Sequence, residues 1–232
     1  MAHAGTRDGD ADPAETAIDA GGVRLPGSLV IPGRAPGLVV FAHGSGSSRH
    51  SPRNQFVAAT LNRAGLGTLL ADLLTEDEAA SRAQVFNIAL LAARLEGITS
   101  WLRGQAASGG IPVGYFGAST GAAAALWAAA GRPPPVAAIV SRGGRPDLAG
   151  ARLALVQAPT LLIVGGADET VLDLNRRARA QLTCESRLEV IPGATHLFPE
   201  PGALEQVAEL AAGWFTGHFG VADRGGTGGP TA

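Results

Sequence analysis

Residues 117–121 read Gly-Ala-Ser-Thr-Gly, which has the form Gly-x-Ser-x-Gly. They follow the apolar run 113–116 directly and open an alanine-rich run, so they stand where a strand is expected to turn into a helix. A serine on such a sharp turn projects its hydroxyl from the sheet, and the helix N-terminus behind it offers unpaired N–H groups to an oxyanion. The pattern predicts a nucleophile at Ser119; an ordinary glycine-rich turn is the alternative.

A serine hydroxyl is a poor nucleophile unless a base takes its proton and an acid orients that base. The chain supplies both in the order Ser, Asp, His. Asp168 follows the apolar run 161–164, and His196 lies in a loop after the last expected strand. We predict that these two residues serve Ser119. A helix N-cap is the alternative role for Asp168, and Glu169 beside it is a rival acid.

Four other histidines compete with His196 for the role of base. His3 lies near the N-terminus, and His218 lies at the end of the last expected helix. His43 ends a strand, where a histidine more often braces a loop, and His50 lies in a polar loop close to the expected site. His196 stands at the expected place in chain order, so we predict that it is the base.

The loop 43–49 follows the apolar run 38–42 and contains two glycines spaced as in a dinucleotide-binding turn. An arginine stands where the third glycine is needed, and no acidic residue closes the next strand at the expected offset, so we do not expect a nucleotide there. The favoured interpretation is the second half of an oxyanion hole, in which the backbone N–H of Ser45 joins that of Thr120.

Two arginine-bearing loops fall at the same predicted edge. Arg142 follows the apolar run 136–140, while Arg49, His50 and Arg53 lie in the loop that leads to the first helix. A guanidinium in this place is able to bind a carboxylate or phosphate of a substrate, which makes Arg142, Arg49 and His50 candidate substrate-binding residues. An arginine is equally able to pair with a neighbouring acid, and pairing is the outcome that the sequence alone favours.

These residues need a fold that brings the ends of their strands together. Five apolar runs without polar alternation predict buried parallel strands, at 38–42, 66–70, 113–116, 136–140 and 161–164. A weaker strand is expected at 187–191, two antiparallel edge strands within 14–31, and amphipathic helices at 86–102 and 204–214. The prediction is an α/β fold: one doubly wound, mostly parallel sheet flanked by helices, with ligands bound beyond the carboxyl ends of its strands.

Composition excludes several classes of protein. All 18 basic residues are arginine, which rules out a Schiff-base lysine and the lysine of a phosphate-binding P-loop. Cys184 is the single cysteine, so neither a disulfide framework nor a cysteine-rich metal site is expected. The net charge is −2 with scattered arginines, which gives no basic stripe for nucleic acid. No apolar stretch approaches the roughly 18 residues of a membrane span.

The ends of the chain differ from its body. Residues 1–14 are small and acidic and residues 220–232 are rich in glycine, so we predict flexible tails around a single domain at 15–219. The first twenty residues lack the basic start and apolar run of a signal peptide, and a cytoplasmic location is therefore expected.

Together the motifs at 43–46, 117–121, 165–168 and 193–196 resemble the α/β-hydrolase superfamily, and within it the dienelactone-hydrolase-like group of small, lidless enzymes. The resemblance covers about residues 25–216. It implies an α/β-hydrolase fold without a large lid domain, because too few residues separate Val140 from Pro159, and segment 75–84 is the one candidate for a small flap. Dienelactone hydrolases have a cysteine where this chain has Ser119, so their substrate is not carried over.

We therefore expect a serine hydrolase that cleaves a carboxylic ester or related acyl bond through an acyl-enzyme, with no metal and no organic cofactor. An acyltransferase with the same residues and a catalytically silent binding module are the alternatives. The expected partner is a small acyl substrate, and neither nucleic acid nor a membrane; a homodimer is compatible with the sequence. Similar stretches occur attached to phosphoribosyltransferase domains, and the resemblance implies an association with such a domain.

Overall fold

The apolar runs of the sequence form the strands of one sheet in the computed structural model, which describes residues 13–105, 108, 110–131 and 136–220. Within these ranges the sheet has eight strands. They are β1 (Ala14–Asp19), β2 (Arg24–Val30), β3 (Leu38–Ala42), β4 (Gly67–Ala71), β5 (Val113–Ala118), β6 (Ala138–Arg142), β7 (Thr160–Gly165) and β8 (Ser186–Ile191).

The strand order is β1-β2-β4-β3-β5-β6-β7-β8. The strands from β3 to β8 run parallel, and β1 and β2 add an antiparallel pair at one edge. Because parallel strands end at the same edge of a sheet, the loops after β3, β5, β6, β7 and β8 all open on one side of the molecule. The predicted mostly parallel sheet and its antiparallel edge pair are confirmed.

Helices cover both faces of the sheet. Helices α1 (Pro52–Arg63) and α7 (Ala203–Phe219) pack on one face, over a core that includes Phe41, Phe116 and Phe215. Helices α4 (Ile88–Arg103) and α5 (Thr120–Ala129) pack on the other face. This is the doubly wound arrangement that the alternation of strands and helices predicts. The helices are α1 (Pro52–Arg63), α2 (Glu76–Ala79), α3 (Arg82–Val85), α4 (Ile88–Arg103), α5 (Thr120–Ala129), α6 (Glu169–Arg179) and α7 (Ala203–Phe219).

The connections around the site are short. The predicted flap 75–84 forms the two single-turn helices α2 and α3, and the β6–β7 connection folds into 3₁₀ turns over Pro146–Leu155 that are broken at Gly150. No lid domain occurs in either place. The helix predicted from Phe86 begins two residues later, and Phe86 is 50% exposed because it lies in the turn before α4. Phe86 continues the helical spacing of apolar residues into the turn, so the sequence pattern places the start of α4 two residues too early.

The predicted tails fall almost wholly outside the described residues, since 1–12 and 221–232 are not described. Ala14, assigned to the N-terminal tail from the sequence, already pairs with Leu29 in the sheet. Across the described ranges, every helix is too short or too polar to cross a lipid bilayer.

The N-terminus of α5 lies directly against the end of β3. At Gly121, in the first turn of this helix, an added Cβ would lie 2.0 Å from the carbonyl oxygen of Ala42. Only a residue without a side chain allows this approach, which brings the loop after β3 next to the turn that holds Ser119.

We expect the substitution Gly121→Ala to push α5 away from β3 and to lower the free energy of unfolding by roughly 1–3 kcal/mol, the usual cost of overpacking. The control is Gly213→Ala in α7, where an added Cβ meets nothing within 4 Å. That change should raise the free energy of unfolding by about 0.5–1 kcal/mol, because alanine is the better helix former. Urea unfolding measures both, and a Gly121→Ala protein as stable as wild type would disprove the close approach.

Candidate active site

Ser119 occupies the turn between β5 and α5 in a conformation that side chains rarely adopt. Its φ is 51° and its ψ is −121°, and such a backbone costs about 1–3 kcal/mol for a residue other than glycine. Hydrogen bonds hold it there: the N–H of Ser119 donates to the carbonyl of Arg142 at 3.3 Å, and its own carbonyl accepts from the N–H of Arg145 at 3.0 Å. The strain is therefore supported by β6 and by the loop that follows β6.

Asp168 and His196 meet although they are 28 positions apart in the sequence. Nδ1 of His196 lies 2.7 Å from Oδ2 of Asp168, and because an ionised carboxylate only accepts, Nδ1 carries the proton of this bond. Nε2 is thereby left as the ring nitrogen that is able to take a proton. Asp168 stands at the N-cap position of α6, but its side chain makes no capping hydrogen bond. The rival acid Glu169 is exposed in the first turn of that helix.

The imidazole of His196 lies at the same edge of the sheet as Ser119. Gly143 connects the two regions. It directly follows Arg142, whose carbonyl accepts the hydrogen bond from the N–H of Ser119. A Cβ at Gly143 would lie 3.6 Å from Cε1 of His196. The chain segment that supports the serine therefore passes close to the imidazole of His196, the predicted base.

The side chain of Glu200 stabilises the loop that carries His196 through hydrogen bonds to Thr195. Oε1 of Glu200 accepts hydrogen bonds from the N–H of Thr195 at 3.1 Å and from its hydroxyl at 2.6 Å. The Thr195 hydroxyl bond lowers the pKa of Glu200, so the carboxylate stays ionised. Sequence reasoning missed this contact because a Thr and a Glu five positions apart in a loop give no periodic signal.

The predicted oxyanion-hole residues lie side by side, but one donor is engaged. The loop after β3 passes so near Ser119 that a Cβ at Gly44 would lie 3.0 Å from the serine Cβ. The N–H of Ser45 donates to the side-chain Oγ1 of Thr120 at 2.9 Å. Thr120 is the first residue of α5, where N–H groups have no acceptor within the helix. The N–H of Thr120 stays a predicted donor, whereas the N–H of Ser45 is bound to the Thr120 hydroxyl, which the sequence did not implicate.

Arg49 and His50 do not join this cluster. The guanidinium of Arg49 pairs with Asp72 at 2.6 Å and lies 3.6 Å from Glu15, and the backbone N–H of Arg49 also donates to Asp72. The imidazole of His50 is exposed. Both residues line a separate cavity of about 210 Å³ beside β2 and α1. The suggestion that they bind substrate is not supported, because Arg49 is neutralised by two acids and His50 faces another cavity.

Arg142 behaves in the opposite way. It is 7% exposed, and neither its Nε nor its Nη1 has a hydrogen-bond partner. Burial, together with the charge of Arg53, lowers the pKa of Arg142 to about 10. The expectation that this arginine would pair with an acid is wrong: within the described residues it forms no ion pair, and it is the last residue of β6, beside the turn of Ser119.

An apolar cavity opens between the loop after β3 and the flap. Its volume is about 260 Å³, and its apolar walls come from the segment after β4 and from α2, α3 and α4: Leu74, Ala79, Val85 and Leu91. Gly44 and Ser45 form the wall nearest Ser119. The described residues contain no cluster of three or more acidic, histidine or cysteine side chains placed to hold a metal ion.

No protein-family model matches the chain. A solved structure described as a dienelactone hydrolase from Anabaena variabilis is 55% identical, with a TM-score of 0.85 over 90% of this chain and 99% of that one. The chain belongs to the dienelactone-hydrolase-like group of α/β-hydrolases. This membership supports a hydrolase. Est1E from Butyrivibrio proteoclasticus, 18% identical with a TM-score of 0.73 over 89% of this chain and 99% of that one, shares the fold.

A Mycobacterium tuberculosis (strain H37Rv) protein provisionally named a phosphoribosyl transferase is 58% identical over 223 residues. The match covers 94% of this chain and 50% of that protein. The dienelactone-hydrolase-like chain therefore spans about half the length of the relatives it matches in this comparison.

His43 connects the loop after β3 to the end of β4. Its Nδ1 donates to the carbonyl of Gly44 at 3.0 Å, and its Nε2 accepts from the N–H of Leu73 at 3.1 Å. Burial lowers the pKa of His43, although the Gly44 carbonyl and the Asp72 carboxylate act in the other direction. The ring is therefore neutral in the folded protein and holds the loop in place as a donor and an acceptor.

Because the folded state depresses the pKa of His43, the unfolded chain binds more protons below the ordinary histidine value of about 6.5. The contribution of His43 to stability is complete above that pH and declines as the pH falls. We expect the urea midpoint of wild type to drop further between about pH 7.5 and about pH 5.5 than that of His43→Gln. His50→Gln, which changes an exposed histidine, should keep the wild-type slope; equal slopes for all three proteins would contradict this assignment.

Proposed function

We propose that the chain is a serine hydrolase that cleaves a carboxylic ester or a related acyl bond, with Ser119, His196 and Asp168 as its catalytic triad. The observation that carries the proposal is the 2.7 Å hydrogen bond between His196 and Asp168 at the edge where Ser119 is held with a positive φ. A strained serine, an oriented imidazole and a partly buried carboxylate are the three parts that acyl transfer through a nucleophilic serine requires.

In the proposed reaction, Oγ of Ser119 attacks the acyl carbon while Nε2 of His196 takes the hydroxyl proton. Asp168 accepts from Nδ1 and stabilises the imidazolium that forms. The tetrahedral intermediate collapses when His196 returns the proton to the leaving alcohol, which departs and leaves an acyl-enzyme. Water, deprotonated by the same imidazole, attacks the acyl carbon, and the serine leaves with the proton restored.

The developing oxyanion needs donors at the N-terminus of α5. The N–H of Thr120 is free within its helix, and the N–H of Ser45 becomes the second donor when the oxyanion takes the place of the Thr120 hydroxyl. The apolar cavity of about 260 Å³ beside Gly44 then receives the acyl group, and its size suits a short chain or a single ring.

The name of the Mycobacterium tuberculosis relatives offers phosphoribosyl transfer as a second activity. The 55% identical dienelactone hydrolase matches this chain over 99% of its own length, whereas the chain covers 50% of those relatives. We assign the hydrolytic site to this chain and any phosphoribosyl transfer to the other half of the longer relatives. An acyltransferase would use the same three side chains, and turnover with added alcohols separates it from a hydrolase.

A fluorophosphonate probe should label the wild-type protein at Ser119, and the modified residue is identified by mass spectrometry of the digested protein. The Ser119→Ala protein should show no labelling and no measurable cleavage of 4-nitrophenyl acetate beyond the uncatalysed rate, because the attacking oxygen is gone. Labelling of another residue, or full activity in Ser119→Ala, would end the proposal. A folded protein that no probe labels would instead support a silent binding module.

The two neighbouring acids give a matched comparison. We expect Asp168→Asn to reduce kcat by roughly 10⁴-fold, because an amide no longer fixes the imidazole tautomer or stabilises its cation. Glu169→Gln, which changes an exposed acid one residue further along, should keep wild-type kcat. Initial rates with the same aryl ester measure both. Equal losses in the two variants would show that the pairing of Asp168 with His196 has no catalytic role.

A further inference from the structure

We propose that β8 is a homodimer interface, at which the free edge of this strand pairs antiparallel with β8 of a second copy of the chain. The two sheets then continue into one another across a twofold axis that passes through the middle of β8. The inference concerns the outer edge of the sheet and does not rest on the proposed function.

The outer edge of β8 presents unpaired backbone groups. β8 is the last strand of the sheet, and across the described ranges no strand lies beyond it. The carbonyl of Ile191 accepts the N–H of Gly166 on the inner side, and every second residue of β8 shares that direction. Ser186, Leu188 and Val190 therefore direct their N–H and carbonyl groups outward. An edge of this kind is a template for another strand.

The charges on β8 are complementary to those of a second β8. Antiparallel pairing centred on Leu188 places Arg187 of one copy opposite Glu189 of the other, and the twofold axis repeats this pair. Leu188 directs its backbone outward and so forms the hydrogen-bonded pair at the axis. Arg187 and Glu189 then form the adjacent non-hydrogen-bonded pairs, in which side chains approach most closely. Opposite charges at such cross-strand positions stabilise a sheet.

The opposite edge of the sheet, β1, lacks this property. β1 contains two exposed acids, Glu15 and Asp19, and no basic residue. Antiparallel pairing of two β1 strands therefore brings no opposite charges together in any register. Like charges directly opposite one another destabilise a sheet. Of the two outer strands, β8 is thus the one whose charges favour pairing with a second copy.

Within a single chain, Arg187 and Glu189 already form an ion pair. The arginine side chain is 62% exposed, and an exposed pair of this kind contributes little to stability. Both side chains therefore lose little when each turns to the oppositely charged side chain of a second copy.

A cavity of about 510 Å³ leaves one face of β8 incompletely covered. It lies between β8 and α7, and its lining includes Arg187, Glu189, Val190, Leu210 and Trp214. Val190 is 37% exposed, which is unusual for a large apolar residue of a strand in this sheet. A twofold axis perpendicular to the sheet keeps Arg187 and Glu189 of the second copy on this same face. The cavity thus gives the charged side chains of both copies room to meet beside an apolar wall.

Helix α6 has a complementary charge pattern on the other face of β8, where it packs against Leu188. Its first turn contains Glu169, and its last turn contains Arg176, Arg177 and Arg179. In the proposed dimer the two α6 helices run antiparallel on one face. The acidic first turn of each then lies toward the basic last turn of the other, an arrangement that the two helix dipoles also favour.

Sedimentation velocity over a wide range of protein concentration tests the interface. We expect wild type to sediment as a dimer. Arg187→Glu places acids opposite acids, and Glu189→Arg places bases opposite bases, so each change should raise the dimer Kd at least about tenfold. An equimolar mixture of the two variants should form dimers again, because each acidic strand then meets a basic one. The double variant Arg187→Glu/Glu189→Arg should also be a dimer.

Two further variants separate strand pairing from a general effect of charge. Arg63→Glu makes the same charge change at an exposed position of α1 and should leave the dimer intact. Val190→Pro removes an outward N–H without changing the charge, and it should produce a monomer because proline at an edge blocks pairing with another strand.

The mixing experiment decides the outcome even if Val190→Pro does not fold, since it compares two variants with their own mixture. A wild type that stays monomeric at every concentration would overturn the proposal. A dimer that neither charge variant weakens has its interface elsewhere, which would overturn it as well. If both charge variants dissociate the dimer but their mixture does not restore it, the pairing centred on Leu188 is wrong.

Discussion

The backbone of Ser119 is the constraint on which the rest of the site depends. A positive φ at a residue with a side chain is unfavourable on its own, so the surrounding structure has to enforce it. The enforcing contacts come from several directions: β6 accepts the serine N–H, the loop after β6 donates to its carbonyl, and α5 is pressed against β3 at Gly121. The parallel sheet is therefore what allows one strained residue to persist, because it brings these segments to one edge.

Charge is distributed unevenly around that edge. On the side of β4, the carboxylate of Asp72 pairs with the guanidinium of Arg49 and faces a neutral His43, so the charge of Arg49 is compensated there. On the side of β6, Arg142 is buried without one. Unpaired buried charge lowers stability, and proteins tend to keep such groups where they act on a ligand.

The sequence predicts the framework well because its signals are local. Uninterrupted apolar runs lie in the buried parallel strands, and the Gly-x-Ser-x-Gly segment lies on the turn that its glycines suggest. The end of β6 was placed two residues early, since Ser141 and Arg142 are polar and yet continue the strand. The apolar stripe likewise extended α4 backwards to Phe86, where a turn intervenes.

What the sequence could not supply are contacts decided by distant side chains. Arg49 and Arg142 look alike in the sequence, each an arginine in a loop or strand end near small residues, and pairing was expected for both. Arg49 is paired and Arg142 is not, because Glu15 of β1 and Asp72 after β4 lie within ion-pair distance of Arg49 only. In the same way, the bond from the Ser45 N–H to the Thr120 hydroxyl joins residues 75 positions apart and depends on a rotamer.

The short β6–β7 connection has a consequence for the acyl-enzyme of the proposed hydrolase. Only 3₁₀ turns stand where a covering domain would sit, and the side chain of His196 is 40% exposed. Bulk solvent thus reaches the imidazole without any opening motion, and in the reaction that we propose no moving domain gates departure of the alcohol. In the proposed reaction an incoming acceptor would have to compete with water at every turnover, so this architecture would favour release of the free acid over transfer to a second molecule.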